Sequence, residues 1–211
     1  MLNSKITKED LEKALIERHG LENQRKINNA TVNIFGLGGL GSNVAFSLAR
    51  CGVGHLRLVD FDKVDLSNLN RQQYFINQVG MYKTEALREN ILKINPYLHI
   101  DIVTKKVTKD NIYNLLNKNG IICEAFDNPE AKSLLVDEVF TNYKNKIVVA
   151  ASGMAGYGRS NFIITKKIND NFYLCGDGES DVIKEKTLVA PRVSICANHE
   201  ANIILEIIIN S

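Results

Sequence analysis

The sequence has no tryptophan, three prolines and four cysteines, and neither sign of charge is in excess. Each shortage excludes a class of protein. Lys and Arg number 26 against 24 Asp and Glu, a formal net charge of +2. That balance excludes a chain held to nucleic acid or to a membrane by charge alone, so neither is expected as a partner. With three prolines and 14 glycines in 211 residues there is no long disordered linker. The most apolar stretch, ANIILEIIIN at 201–210, is interrupted by Asn202 and Glu206 and falls short of the ~20 residues that span a bilayer. It reads as a helix buried in the fold or facing another subunit. Cys51, Cys123, Cys175 and Cys196 form no CxxC pair and have no His or Cys at ligand spacing, so no zinc is expected. Sparse thiols behind a start charged throughout (MLNSKITKEDLEKAL) fit a chain that is not exported and a reducing cytoplasm. No GxxxxGK[ST] is present, which excludes a P-loop NTPase.

The chain is 45% hydrophobic, enough for one core, and reads as a single domain over 1–211. Residues 7–28 form an N-terminal helical segment. Thr7, with Asp10 at the third following position, is a variant of the capping box, and Leu11, Leu15 and Ile16 share one face. Gly20 splits this segment, and its mixed charges, from Lys5 onward, make a solvated face. Over 31–151 the β-rich runs TVNIFG, HLRLVD, HIDIVTKKV, IICEAF and KIVVAAS alternate with helical stretches. These are GLGGLGSNVAFSLARCG, YKTEALRENILKIN, DNIYNLLNKN and PEAKSLLVDEVFTNY. That alternation specifies right-handed βαβ units around a parallel sheet. It breaks over 152–211, where NFIITKKI and NFYLCG are β-like and a last helix follows Pro191. The expected fold is α/β: a Rossmann-like, doubly wound, mainly parallel sheet with a C-terminal β extension plus helix.

Gly36, Gly38, Gly39 and Gly41 (GLGGLG) follow a strand and open a helix, the context a nucleotide-binding glycine loop requires. Gly36 permits the turn, Gly38 and Gly39 let backbone amides approach a nucleotide, and Gly41 lets the helix sit close to the sheet. The helix N-terminus favours an anionic group. Asp60 ends the second strand 19 residues beyond Gly41, where an acid accepts hydrogen bonds from ribose hydroxyls. The stretch DFDKVDLSNLNRQQYF clusters Asp60, Asp62 and Asp65 ahead of Arg71, whose planar fork suits phosphate oxygens. Lys83 follows at the start of a helix. Asp127, just past the fourth strand, shares the sheet edge with the glycine loop and has the chemistry of a Mg²⁺ ligand. Equally, Asp127 or Asn128 caps the helix that begins at Pro129.

GLGGLGSN, LVDFDKVDLSNLNRQ, VGMYKTEAL and EAFDNPEAK, in that order over roughly residues 20–150, resemble the ThiF/MoeB/HesA family. These are relatives of ubiquitin-activating enzymes that adenylate the C-terminus of a small ubiquitin-like sulfur carrier. The short length and AASGMAGYG are similar to the compact ThiF-like branch of thiamine biosynthesis. The resemblance implies a ThiS-like carrier ending in Gly-Gly, whose terminal carboxylate attacks the α-phosphorus of ATP to give an acyl-adenylate and pyrophosphate. It implies that Asp60 holds the ribose, that Arg71 and Lys83 neutralise phosphate charge, that Asn68, Asn70 and Gln72 orient the nucleotide, and that Asp127 binds Mg²⁺. It also implies a homodimer, and an arginine near the N-terminus reaching the partner's site, for which Arg18 and Arg25 are available. Residues 152–211 would then hold a carrier-facing segment.

Some relatives relay sulfur through a cysteine. Cys175, expected in a loop, and Cys196, expected near a helix N-terminus that favours a thiolate, are the candidates. Cys123, inside an apolar strand, is expected to be inert. Three competing readings stand: an NAD(P)-dependent Rossmann oxidoreductase, a non-catalytic nucleotide-binding protein that docks a carrier, and an ATP-dependent cyclase or dehydratase of a modified tRNA base.

Overall fold

The structure is a computed structural model that describes residues 6–116, 120–143 and 145–211. Lys5 and the start of the chain lie outside the described residues, as do 117–119, the end of the helix expected over DNIYNLLNKN.

Two helices come first, α1 (Lys8–His19) and α2 (Leu21–Asn29), separated at Gly20. Thr7 and Asp10 close the capping box: the Asp10 N–H donates to Thr7 Oγ1 at 3.2 Å and the Thr7 N–H to Asp10 Oδ2 at 2.9 Å. The parallel sheet and its crossovers follow as β1 (Thr31–Phe35), α3 (Gly39–Cys51), β2 (His55–Val59), α4 (Lys83–Ile94), β3 (His99–Val103), α5 (Ile112–Leu115), β4 (Ile121–Glu124), α6 (Pro129–Asn142) and β5 (Val148–Ala151). Then come β6 (Ile164–Asn169), β7 (Phe172–Gly176), α7 (Val182–Glu185) and α8 (Ala190–Asn210).

Among the described residues the sheet has seven strands in the order β3-β2-β1-β4-β5-β7-β6. All neighbours are parallel except the β6–β7 hairpin. The β-like runs past residue 152 therefore extend the main sheet. Strand order reverses between β1 and β4, which opens a crevice at their C-terminal ends. Apolar side chains cover both faces, as a parallel sheet requires. Ile34, Leu56, Leu58 and Val149 pack with α3 and α8 on one face, and Phe35, Val59 and Ile122 with α5 and α6 on the other.

Helix α8 packs on α3, α2 and the β5–β7 part of the sheet. Ile203, Ile204 and Ile208 are buried there and Glu206 is exposed. Packing within one chain accounts for the apolar C-terminus, so that stretch no longer argues for a homodimer. No helix among the described residues is long and apolar enough to cross a membrane.

One buried acid shapes stability. Glu200 on α8 accepts the Cys123 thiol at 3.9 Å, and its Oε2 has no hydrogen-bond partner among the described residues. Burial pushes this carboxyl well above the ordinary value of 4.5, against the pull of Lys132. The folded chain thus holds a proton that the unfolded chain releases, and stability falls as pH rises above about 4.5. Glu200→Gln keeps the shape of the neutral acid without the proton. We expect it to raise the melting temperature in mildly alkaline buffer and to flatten the decline with pH, read by thermal denaturation across a pH series.

Candidate nucleotide-binding site

The loops leaving β1, β2, β4 and β5 surround a cavity of about 1090 Å³ at the crevice. Its floor is the glycine loop. Gly36 adopts φ 88°, which favours glycine, and a Cβ on Gly41 would meet the Gly36 carbonyl oxygen at 1.9 Å. Gly41 thus sets how closely α3 approaches the loop and does not itself line the cavity, whereas Gly36, Gly38 and Gly39 do. Gly41→Ala should drive α3 off the loop and cost about 3 kcal/mol, the upper end for overpacking, as read by urea unfolding.

Asp60 directly follows β2 and is buried. Its Oδ2 accepts the Leu37 N–H at 2.6 Å and its Oδ1 the Asp62 N–H at 2.8 Å. Burial raises its pKa, opposed by Lys83 and by these two N–H groups. Each oxygen keeps a lone pair for a hydroxyl donor. Tyr74 braces the same loop by donating its hydroxyl to the Leu37 carbonyl at 2.7 Å.

Lys83 is the first residue of α4. Its Nζ donates to Asp62 Oδ2 at 2.9 Å, which aims the ammonium at the cavity rim. Arg71 comes from the loop between β2 and α4, its guanidinium donating to Asn70 Oδ1 at 2.8 Å and to the Ser67 carbonyl at 3.2 Å. The first turns of α3 hold that loop: Asn43 donates to the Arg71 carbonyl at 3.0 Å, and Ser42 Oγ accepts the Gln73 N–H at 3.2 Å. Ser42 and Asn43, directly after the glycine loop, therefore hold the loop that carries Arg71.

Asn128 caps α6, its Oδ1 accepting the N–H groups of Glu130 at 2.9 Å and Ala131 at 3.0 Å, with Pro129 in the first turn. Asp127 is exposed, lines the cavity and makes no hydrogen bond or ion pair among the described residues. The two readings of this pair thus divide, one residue capping and the other facing the cavity. Gln72 also lines the cavity, and its buried Oε1 has no hydrogen-bond partner among the described residues, which leaves it available to a ligand donor.

Asn68 and Asn70 are elsewhere. Asn68 ends a 3-10 turn (Leu66–Asn68), where its Oδ1 accepts the Asp65 N–H at 3.0 Å. Asn70 donates to the Leu188 carbonyl at 2.9 Å. Neither lines the cavity; both shape the loop that carries Arg71. Of the C-terminal segment, 152–155, Phe172 and Leu174 of β7, 178–181, Leu188 and Val193 line the cavity, while β6 forms the sheet edge.

Cys175 is not in a loop. It lies in β7, fully buried, its thiol pushed up to about 12 by desolvation and by Glu200. Cys196 lies inside α8, beyond its first turn, and is also fully buried, with desolvation and Glu200 raising its thiol further. These surroundings oppose a thiolate at either position. Cys123 is buried in β4.

Two ion pairs were not legible in the sequence. Lys132 on α6 donates to both oxygens of Glu124, at 3.1 and 2.9 Å, and to the Ala151 carbonyl at 3.1 Å, tying the ends of β4 and β5 under the cavity. An acid inside the apolar run IICEAF was the available signal. Arg192 on α8 pairs with Asp177 and donates to the carbonyls of Ala155 at 2.7 Å, Gly158 at 2.6 Å and Arg159 at 3.1 Å. It fixes the loop after β5; nothing local in the sequence marked it.

The ThiF family profile matches residues 11–211. The chain is 40% identical over 105 residues to ubiquitin-like modifier-activating enzyme 5 of Caenorhabditis elegans, covering 49% of this chain and 25% of that protein. It is 35% identical over 144 residues to adenylyltransferase and sulfurtransferase UBA4 of Kluyveromyces lactis, covering 68% of this chain and 32% of that protein. The chain thus spans about a quarter to a third of the length of these curated relatives. Its fold matches E. coli tRNA N6-threonylcarbamoyladenosine dehydratase, TcdA, in complex with AMP, with a TM-score of 0.86 at 21% identity, covering 99% of this chain and 98% of that one. E. coli MccB matches with a TM-score of 0.73 at 21% identity, covering 99% of this chain and 65% of that one. With a family profile matched along nearly its whole length, this chain belongs to the ThiF family.

Proposed function

We propose that the chain is an ATP-dependent adenylyltransferase that activates the C-terminal glycine carboxylate of a ubiquitin-like sulfur carrier. The carboxylate oxygen bonds to the α-phosphorus of ATP, and the bond from that phosphorus to the leaving pyrophosphate breaks. The observation that carries this reading is the convergence of the glycine loop, Asp60, Arg71, Lys83 and Asp127 on one cavity at the crevice. Asp60 accepts ribose hydroxyls, Arg71 and Lys83 take up phosphate charge, and Gln72 Oε1 accepts from the nucleoside. Substitution at phosphorus needs positioning and charge stabilisation more than a protein nucleophile, and this site offers those. Asp127 fits Mg²⁺, which takes one or two carboxylates plus phosphate oxygens. When bound there, the ion neutralises triphosphate charge.

The carrier's C-terminal tail approaches along 152–155, beside the cavity. The compact ThiF-like branch remains our reading of its biology, with a ThiS-like carrier in thiamine biosynthesis and a cytoplasmic homodimer. Relatives named adenylyltransferase and sulfurtransferase support activation of a carrier. A second substrate, a carboxylate on a modified tRNA base, is favoured by the full-length match to TcdA and opposed by the near-neutral charge.

ATP–pyrophosphate exchange tests the reading. Exchange should depend on a carrier ending in Gly-Gly and be absent with unmodified or modified tRNA. Exchange with tRNA alone supports the second substrate. Indifference to ATP, with a nicotinamide-dependent absorbance change, overturns both.

A further inference from the structure

Away from the cavity, at the ends where β2 and β3 enter the sheet, the register places His55 beside His99 and Arg57 beside Asp101. The period of two in a strand puts His99 and Asp101 on one face, together with His55. Asp101 reaches both rings, its Oδ2 3.1 Å from His55 Nε2 and its Oδ1 3.4 Å from His99 Nε2. The ring centroids are 4.4 Å apart, and the three donor atoms lie within 4.8 Å of one another. Tetrahedral ligation at about 2.0–2.2 Å sets donors roughly 3.3–3.6 Å apart; the two nitrogen–carboxylate distances, each to a different Asp101 oxygen, lie close to that spacing, and an ion would draw the set together by small side-chain rotations.

The geometry points to a divalent transition-metal site, zinc first, held by His55, His99 and Asp101. Two imidazoles and one carboxylate select zinc-class ions over magnesium or calcium, which favour all-oxygen sets. Arg57, on the same face, adds a positive charge that works against an ion held by charge alone and leaves the choice to the imidazoles. His55 and Asp101 are half-buried while His99 is exposed, so ions enter from the His99 side and water completes the coordination. The ion would clamp β3, an edge strand, to β2. Residues 55 and 99 are too far apart in sequence for ligand spacing to reveal the set; only the register joins them.

The experiment is a zinc titration of the metal-stripped full chain at neutral pH by calorimetry, with melting temperatures measured with and without zinc. We expect one ion per chain and a zinc-dependent rise in melting temperature. His99→Ala, a change at an exposed position that leaves the fold intact, should weaken binding by at least about tenfold and abolish the thermal shift. Asp101→Asn should weaken binding similarly. Asp127→Ala, in the cavity at the other end of the sheet, should bind zinc as the parent does. No stoichiometric zinc on the parent chain, or zinc kept by His99→Ala and lost by Asp127→Ala, overturns the proposal.

Discussion

Asp127→Ala is expected to lower carrier-dependent ATP–pyrophosphate exchange on the order of 10²–10³-fold, the usual loss when one preorganised charge-stabilising group is removed. The fold should hardly notice. Asn128 carries the helix cap, and Asp127 has no partner among the described residues. Surface changes of that kind stay within about 0.5 kcal/mol, which for a chain of this size is about 1–2 °C in melting temperature. Asn128→Ala is the converse, removing a cap that bonds two N–H groups at a cost of about 0.5–2 kcal/mol. Exchange at parental rate in Asp127→Ala, with folding intact, would remove Asp127 from the catalytic assignment.

The largest stability effect should come from Arg192→Ala. Arg192 is buried, its Asp177 partner is half-buried with the side chain largely covered, and the guanidinium also satisfies three loop carbonyls. Although burial raises the Asp177 carboxyl, N–H groups of Ser180 and Glu179 and the Arg192 charge hold it below the ordinary range. Truncating Arg192 leaves that charge uncompensated, which typically costs about 3–5 kcal/mol. At about 2–4 °C per kcal/mol the melting temperature should fall by roughly 6–20 °C. Arg192→Lys keeps the charge and loses the fork, so it should recover only part of that. A fall of under about 2 °C in Arg192→Ala would show that the 155–159 loop is held by other contacts.

Legibility followed distance along the chain. The capping box at Thr7, the strand and helix alternation and the glycine loop depend on neighbours a few positions apart, and each lies where the sequence placed it. Asp60 and Asp127 directly follow strands and Lys83 opens a helix, and parallel topology sends those ends to one edge; Arg71 lines the same cavity from the loop between β2 and α4. Asn68 and Asn70 lie outside the cavity and bond within the chain, because an amide next to Arg71 serves a loop as readily as a ligand. Cys175 is a strand residue and not the expected loop residue, because pairing of β7 with β5 and β6 is long-range and leaves its side chain in the core.

The scarcity of cysteine left no paired-cysteine motif in this sequence, the balance of charge set it apart from chains held to nucleic acid by charge alone, and the ordered motifs placed it in its family. The sequence by itself determined the elements and the sheet edge that holds the site, because hydrophobic periodicity and turn chemistry are local. Only the tertiary structure decided that Asn128 caps while Asp127 faces the cavity, and that Arg192 meets Asp177. It alone brought His55 and His99 side by side, because strand register and helix docking join residues whose separation along the chain carries no signal.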